Sequence, residues 1–262
     1  MELSLGGKRV FAGTGGRTPD PTAPAVLLLH GAGMDHTVFA SQARALAHHG
    51  RRVLALDFPG HGRSEGPALD SIGAMADWVL AVAAANGIAR FRVAGHSMGA
   101  LVALETAARA GAGAEAVALL GFVPEMRVHP DLIAAARAGA HSAIELVTSW
   151  SFAGSGAVGG SKAPGLWLSG GALRLLERAD AQALAGDLAA CDAYRGAGEA
   201  AAALRCPVLL LLGEEDRMTP ASLGRAFAAR FADSRVVVLP RAGHMMMLEE
   251  PAATLAALRT AI

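Results

Sequence analysis

The chain has 262 residues, and its 23 basic and 23 acidic side chains give a formal net charge of zero at pH 7. This balance argues against a nucleic-acid-binding protein or a polybasic membrane protein, because both need an excess of positive charge. A hydrophobic content of 53% with 18% charged residues excludes a disordered chain, and the length suits one large α/β domain or two small ones.

Neither the cysteines nor the N-terminus indicates a special compartment. Cys191 and Cys206 show no CxxC spacing, so we expect two reduced thiols and no metal site built from them. The first residues lack the basic region and long apolar core of a signal peptide. No run approaches the roughly 18 uninterrupted apolar residues of a membrane helix. We therefore expect a soluble, cytoplasmic protein with no membrane partner.

Short apolar runs alternate with longer Ala/Leu-rich stretches from the start of the chain to its end. Residues 3–11 predict a hairpin that turns at Gly6-Gly7 and adds antiparallel edge strands. Strands buried on both faces are predicted at Ala25–Leu29, Val53–Leu56, Phe91–Ala94, Val117–Phe122, Pro207–Leu212 and Arg235–Leu239. Helices are predicted at Thr37–His49, Ile72–Asn86, Met98–Ala110, Pro220–Phe231 and Pro251–Ala261. This order is typical of an α/β fold with a mostly parallel central sheet and helices on both faces.

The alternation breaks between Phe122 and Leu204, where no clear buried strand is found. We predict that residues 122–204 form an inserted helical cap, and that residues 1–121 and 205–262 form the core domain. Within the cap, helices are predicted at Pro130–Ala140, Ser142–Trp150, Gly171–Ala185 and Ala189–Tyr194, beside a Gly/Ser-rich loop at Gly154–Lys162.

The sharpest motif is Gly95-His96-Ser97-Met98-Gly99, which lies between a predicted strand and a predicted helix. A G-x-S-x-G sequence in that setting is typical of a nucleophile elbow. The turn is so tight that small residues must flank the serine, and it holds the hydroxyl out at the strand end. The helix N-terminus points to the same place and favours developing negative charge. We predict that Ser97 is a nucleophile.

A serine hydroxyl is a poor nucleophile unless a base takes its proton, and nine histidines are candidates for that base. His244 follows the last predicted strand, in a loop at the same sheet edge as Ser97. Loops after parallel strands gather at one edge, where ligands bind. The other histidines lie on predicted helices, on loop faces or inside glycine-rich turns. We therefore predict that His244 is the general base.

The third group should be a carboxylate that holds the imidazole in the correct tautomer. The loop before the predicted helix Pro220–Phe231 offers Glu214, Glu215 and Asp216. We choose Asp216 because it falls deepest in that loop. Glu125, which follows the preceding strand, is a second position from which an acid could reach the imidazole.

Two backbone N–H groups are needed to hold the negative charge that forms on the substrate oxygen. Met98, the residue after the nucleophile, supplies one of them. Ala32 is our choice for the second, because the small residues of His30-Gly31-Ala32-Gly33 let the backbone approach the substrate closely.

In this order the motifs resemble the α/β-hydrolase superfamily, which also uses the chain order Ser, Asp, His. The resemblance implies that Asp57 is structural rather than catalytic. It also implies that Phe39 stands where members of the superfamily often carry a tryptophan. The matching segments are His30–Gly33, Leu56–Ser64, Gly95–Gly99, Gly213–Asp216, and Gly243-His244 with Glu249–Pro251.

The ordered motifs predict a serine hydrolase that cleaves carboxylic ester bonds through an acyl-enzyme, without a metal or cofactor. Lactone opening, thioester hydrolysis and C–C bond hydrolysis are alternatives, since they share the triad. A dinucleotide-binding protein is disfavoured because His36 occupies the third glycine position of a G-x-G-x-x-G fingerprint. A non-catalytic receptor of the same fold is disfavoured by the intact triad.

Several residues are candidates to contact a small-molecule substrate. Cationic residues are scattered through the predicted cap without a cluster, which favours a small to medium, mainly apolar acyl group. The candidate substrate-binding residues are Gly31, Phe39, His96, Trp150, Trp167 and Met245, and Met126, Leu132 and Phe152 could also close an apolar pocket.

Overall fold

In the computed structural model, which describes residues 1–154, 162 and 166–262, eight strands form one sheet. The strands are β1 (Glu2–Leu5), β2 (Lys8–Gly13), β3 (Ala25–Leu29), β4 (Arg52–Leu56), β5 (Phe91–His96), β6 (Ala114–Leu120), β7 (Val208–Gly213) and β8 (Ser234–Leu239). Their spatial order is β1-β2-β4-β3-β5-β6-β7-β8. The first two pairings, β1 with β2 and β2 with β4, are antiparallel, and all the others are parallel. The predicted hairpin and the predicted parallel sheet are both confirmed.

Alternate residues of β3 point to opposite faces of the sheet and enter two separate cores. Leu27 and Leu29 pack in one core, while Val26 and Leu28 pack in the other. Every residue of β3 is buried. Helices cover both faces, which is why the strand is apolar at each position and shows no alternation.

Eleven α-helices are present in the described part of the chain. They are α1 (Ala40–His48), α2 (Ile72–Ala85), α3 (Met98–Ala110), α4 (Pro130–Arg137), α5 (His141–Ser151), α6 (Leu168–Arg178), α7 (Ala181–Ala193), α8 (Ala197–Ala203), α9 (Ala221–Phe227), α10 (Met246–Glu249) and α11 (Pro251–Arg259). Short 3₁₀ segments at His36–Phe39 and Ala228–Arg230 account for the parts of two predicted helices that are not α-helical. Within residues 1–154, 162 and 166–262, no helix is long and apolar enough to span a membrane.

The helices between β6 and β7 differ from the prediction for this segment. The single helix predicted at Gly171–Ala185 is wrong, because Ala179 and Asp180 have extended backbones and separate α6 from α7. The Asp180 carboxylate accepts a hydrogen bond from the Gln182 N–H at 2.8 Å and caps α7. The helix predicted at Ala189–Tyr194 is the last part of α7, and α8 was not predicted. Apart from its two end residues, the predicted loop Gly154–Lys162 lies outside the described residues.

The parallel strands bring the predicted catalytic residues to one edge of the sheet. Ser97 follows β5, Asp216 lies in the turn after β7, and His244 lies in the loop after β8. Since β5, β6, β7 and β8 are consecutive neighbours that run in one direction, all three residues lie beyond the carboxyl ends of the strands. This is the edge at which open α/β sheets bind ligands.

Candidate active site

Ser97 occupies a strained turn between β5 and α3. Its backbone has φ 55° and ψ −120°, a conformation that side-chain-bearing residues rarely adopt. A Cβ on Gly95 would lie 1.8 Å from the carbonyl oxygen of Gly99, and one on Gly99 would lie 2.3 Å from that of Leu29. Any side chain at either glycine would therefore clash with backbone. The two glycines of the motif are what allow the chain to turn this sharply and carry Ser97 at its apex.

His244 and Asp216 form a buried hydrogen-bonded pair. Nδ1 of His244 lies 2.8 Å from Oδ2 of Asp216, and the two side chains are 2% and 0% exposed. Burial by itself would raise the pKa of Asp216. The electrostatic interaction with His244, the hydrogen bond from His244 and the two hydrogen bonds from Thr219 outweigh that effect and hold the pKa below its ordinary value. Asp216 is therefore ionised at neutral pH and fixes the tautomer of the imidazole.

Thr219 completes this pair and was not predicted. Its hydroxyl donates to Oδ2 of Asp216 at 2.5 Å, and its N–H donates to Oδ1 at 2.8 Å. The same hydroxyl lies 3.2 Å from Nδ1 of His244. A threonine three residues after the acid is a pattern that could have found it, because a short hydroxyl side chain at that spacing can reach back to a carboxylate.

His96 and Gly121 support the imidazole from behind. Nε2 of His96 donates to the carbonyl oxygen of His244 at 2.9 Å, and the two rings lie 4.6 Å apart. Burial, reinforced by the nearby His244, lowers the pKa of His96 to about 3, so this ring is neutral. A Cβ on Gly121 would approach the His244 ring to 3.2 Å. We predicted that His96 contacts the substrate, but in the structure its ring binds the backbone of His244.

The loop after β3 lies close to the elbow. A Cβ on Gly31 would lie 2.9 Å from Nδ1 of His96 and 3.3 Å from Cβ of Ser97, so glycine is what permits this approach. Among the described residues, the backbone N–H groups of Ala32 and Met98 have no hydrogen-bond acceptor. The two N–H groups predicted to form the oxyanion hole are therefore unpaired in the described part of the structure.

Ser97 and His244 line the same cavity, whose volume is about 220 Å³. Ala32 and Trp150 also line it. Most of the wall is apolar, and the other lining residues are Met34, Met126, Arg127, Val128, His129, Leu132, Leu146, Val147, Ser151, Leu188, Cys191, Arg217, Met218 and Thr219. No hydrogen bond joins the Ser97 hydroxyl to His244 or to any other residue that the structure describes. Such contacts are commonly long in the absence of substrate.

Five of the six predicted substrate contacts are absent from the described lining of this cavity. Two of them are Gly31 and His96, and the other three are Phe39, Trp167 and Met245. Phe39 is fully buried in the core beneath the sheet edge, because it ends the 3₁₀ segment that packs there. Trp167 is 64% exposed, and its ring covers Gly170 at the start of α6. Met245 lines a neighbouring cavity of about 230 Å³. None of these three side chains lines the cavity that Ser97 and His244 share.

The alternative acids have other partners. Glu125 pairs with Arg127 at 2.7 Å, is half-exposed and has no bond to His244. Asp57 accepts hydrogen bonds from the backbone and ring of His36 at 2.7 and 2.8 Å and from the Arg63 N–H at 2.9 Å. Its carboxylate is fully buried and holds the surrounding loop together, in agreement with the structural role that the resemblance implies.

Among the residues that the structure describes, one group of side chains has the composition of a metal site. Ligand atoms of Asp35, His36 and Asp57 lie within 4.8 Å of one another. Oδ1 of Asp35 already accepts hydrogen bonds from Thr37, and both oxygens of Asp57 accept hydrogen bonds, one from His36 and the other from Arg63. The group therefore acts as an internal hydrogen-bond network that fixes two loops.

Comparison with known proteins identifies the relatives of this chain. A family model described as "Alpha/beta hydrolase family" matches residues 26–258. The chain is 30% identical over 244 residues to a putative carbamate hydrolase RutD of Klebsiella pneumoniae, covering 86% of each chain. It is 30% identical over 260 residues to the pimeloyl-[acyl-carrier protein] methyl ester esterase of Chromobacterium violaceum, covering 91% and 92%. The solved structure of the enol-lactonase from Burkholderia xenovorans matches with a TM-score of 0.88 and 26% identity over 99% of this chain and 98% of that one.

Proposed function

The chain belongs to the α/β-hydrolase family, and from that premise we propose that it is a serine hydrolase that cleaves carboxylic ester bonds. One observation carries the proposal. Ser97, at the apex of a strained turn, shares a cavity with His244, whose Nδ1 is hydrogen-bonded to the buried carboxylate of Asp216. A nucleophile, a base and a group that orients the base are the parts that acyl transfer requires.

In the proposed reaction, the Ser97 oxygen attacks the ester carbonyl while Nε2 of His244 takes the hydroxyl proton. Asp216 stabilises the imidazolium that forms, and the N–H groups of Ala32 and Met98 bind the oxyanion. The imidazolium then gives its proton to the departing alcohol, which leaves an acyl-enzyme. A water molecule, deprotonated by His244, attacks the acyl carbon and releases the carboxylic acid with Ser97 restored. No other reactant is needed.

The cavity supports a small to medium, mainly apolar acyl group. Its volume of about 220 Å³ is below the 300–1,000 Å³ of typical ligand pockets. Apolar side chains such as Leu132, Val147 and Leu188 form most of its wall. Residues from β6–α4, α5 and α7 supply that wall, so we propose that segment 122–204 serves as the cap over the site.

Lactone opening is the second candidate, because the chain superposes on an enol-lactonase over 99% of its length with a TM-score of 0.88. The chemistry differs only in that the leaving alcohol stays attached to the acyl group. The names of the curated relatives, a carbamate hydrolase and a methyl ester esterase, also describe cleavage at a carbonyl bonded to a heteroatom.

Ester hydrolysis by matched serine variants tests this proposal. The substrates are p-nitrophenyl esters of increasing chain length, with a lactone and a thioester series beside them. We expect Ser97→Ala to lower kcat by at least about 1,000-fold. The exposed Ser4 of β1 supplies the control variant Ser4→Ala, which should retain wild-type turnover. Unchanged turnover in Ser97→Ala would defeat the assignment.

A further inference from the structure

A buried carboxylate from segment 122–204 reaches the loop that carries the Ala32 N–H. Asp187, in the middle of α7, is 0% exposed. Its Oδ2 accepts a hydrogen bond from the Gly33 N–H at 2.8 Å and lies 2.9 Å from Nε2 of His61. One oxygen atom thus joins the helical segment to two loops of the core.

The contacts of His61 require a hydrogen on each of its two ring nitrogens. Nδ1 lies 3.0 Å from the carbonyl oxygen of Pro59, and Nε2 faces Asp187. Two acceptors can be satisfied only if both nitrogens carry hydrogen, which makes the ring an imidazolium. Burial lowers the pKa of His61, but the hydrogen bond and charge of Asp187 outweigh it, and the pKa is raised.

The groups around this ion pair are compatible with it. His30 faces His61 at 5.1 Å between ring centres, and Asp57 adds a negative charge nearby. Burial lowers the pKa of His30 to about 4, with a further lowering by His61, so His30 is neutral. It donates from Nδ1 to the Gly31 oxygen and accepts the Phe58 N–H at Nε2.

The contact leaves the loop little room to move. A Cβ on Gly33 would lie 2.8 Å from Cδ1 of Leu184 and 3.1 Å from Cδ2 of Leu176, so α6 and α7 press directly on the loop. Gly33 has φ 66°, and its N–H belongs to the peptide group that follows Ala32. Fixing that N–H fixes the plane of the peptide next to the free Ala32 N–H.

We propose that Asp187 is a positioning residue, which orients the oxyanion loop through Gly33 and His61 from its place in the helical segment. The inference rests on the proposed function for its catalytic consequence. The second oxygen, Oδ1, is buried without a hydrogen-bond partner among the described residues. Burying a carboxylate with one unpaired oxygen destabilises the fold, and an apolar side chain at this position could pack beside Leu184 without that cost. The carboxylate therefore acts through the groups that it orients, and α7 must stay in place during turnover.

Variants of Asp187 separate positioning from packing. Asp187→Leu keeps the size but accepts no hydrogen bond, so kcat should fall by about 10- to 100-fold while KM stays within about twofold. Binding of a trifluoromethyl ketone, which forms a tetrahedral adduct, should weaken by a factor similar to the loss in kcat. Asp187→Asn should retain kcat within about threefold, because its amide oxygen, placed where Oδ2 lies, can accept hydrogen bonds from the Gly33 N–H and from the Nε2–H of a neutral His61.

Asp180→Ala is the matched control. It removes the cap of the same helix without touching Gly33, so kcat should not change even if the melting temperature falls. The proposal is overturned if Asp187→Leu keeps kcat within threefold, if KM rises as much as kcat falls, or if Asp180→Ala loses as much kcat. If Asp187→Leu does not fold, Asp187→Ser replaces it, because its shorter side chain cannot reach both partners.

Amide hydrogen exchange of Gly33 tests the hydrogen bond between Gly33 and Asp187 independently of enzymatic activity. We expect Asp187→Leu to speed exchange at Gly33 by at least about tenfold relative to wild type, and unchanged exchange would overturn the proposal. If the wild-type protein hydrolyses no ester while Gly33 loses protection in the variant, the proposed function fails and the structural role of Asp187 stands.

Discussion

Asp216 and Thr219 determine how the imidazole of His244 is held. Two hydrogen bonds reach Oδ2 of Asp216 from side chains, and the N–H groups of Met218 and Thr219 reach Oδ1 at 2.9 and 2.8 Å. A carboxylate held by four donors cannot rotate, so the imidazole hydrogen stays on Nδ1 and Nε2 is left as the basic nitrogen. This arrangement also links the stability of the fold to pH.

The pKa of Asp216 lies below its ordinary value, so its ionised form stabilises the folded state. That stabilisation is fully present above the ordinary pKa of about 3.9 and is lost as the pH falls through the lower folded pKa. We expect the difference in free energy of unfolding between wild type and Asp216→Asn to be largest near neutral pH and to shrink below about pH 4. Urea titrations at several pH values measure it. A difference that stays constant down to pH 3 would contradict the account.

Some of these residues follow from sequence, and others do not. Ser97, His244 and Asp216 could be predicted because each sits at the end of an apolar strand, and strand ends of a parallel sheet converge. Phe39 and Met245 were misplaced because distance along the chain from a site residue does not give the direction of a side chain. Asp187 was missed because its role depends on Gly33 and His61, which are far from it in sequence.

At the scale of elements, the loop between β8 and α10 is held by one buried acid. Oε2 of Glu249 accepts the Gly243 N–H and Oε1 accepts the Ala153 N–H, each at 2.8 Å. Burial raises the pKa of Glu249, although both hydrogen bonds oppose that change. Since Gly243 precedes His244 and Ala153 follows α5, this carboxylate ties the predicted base to the helical segment.

Glu249→Ala should therefore destabilise the protein by about 2–4 kcal/mol, because two buried N–H groups lose their acceptor. It should also lower kcat, since the His244 loop loses its anchor. The exposed Glu199 of α8 gives the control variant Glu199→Ala, which should change the free energy of unfolding by less than about 0.5 kcal/mol. Chemical denaturation measures the free energy of unfolding of both variants. An equal loss of stability in Glu249→Ala and Glu199→Ala would exclude the anchoring role.

The strands and the elbow were predictable because strong local rules agree there: continuous apolar runs, flanking glycines and a following Ala/Leu helix. The helical segment was less predictable. Its Ala-rich sequence favours helix almost throughout, so the break between α6 and α7 depends on a single capping residue, Asp180. We predicted one helix across the end of α6 and the start of α7 because a single capping residue is a weak sequence signal for a helix break.

At the scale of the whole molecule, a neutral protein has a cationic cavity mouth. Arg127 and Arg217 both line the cavity, and no aspartate or glutamate is among its described lining residues. Arg127 is paired with Glu125, whereas Arg217 donates to the neutral carbonyl oxygen of Ser149. Because this partner is neutral, the positive charge of Arg217 can interact with a charged group on a bound substrate.

An ester whose otherwise apolar acyl group ends in a carboxylate should consequently react faster than a neutral ester of the same length, because the apolar wall can hold the methylene groups while the charge of Arg217 attracts the carboxylate. We expect kcat/KM for the p-nitrophenyl monoester of succinic acid to exceed that for p-nitrophenyl butyrate by about three- to tenfold at low salt. The ratio should fall toward one at about 0.5 M salt. Arg217→Met should remove the preference, and Arg225→Met, on α9, should preserve it. Equal rates for the two esters at low salt would rule out the electrostatic effect.

The central claim is that the hydroxyl of Ser97 is activated by His244. Reaction with a fluorophosphonate, followed by peptide mass spectrometry, measures this most directly, because the reagent phosphonylates only an activated serine. The account predicts a single adduct, located on Ser97, which forms at least about 1,000-fold more slowly in His244→Ala. An adduct at any other residue, or labelling of Ser97 at an equal rate in His244→Ala, would contradict it.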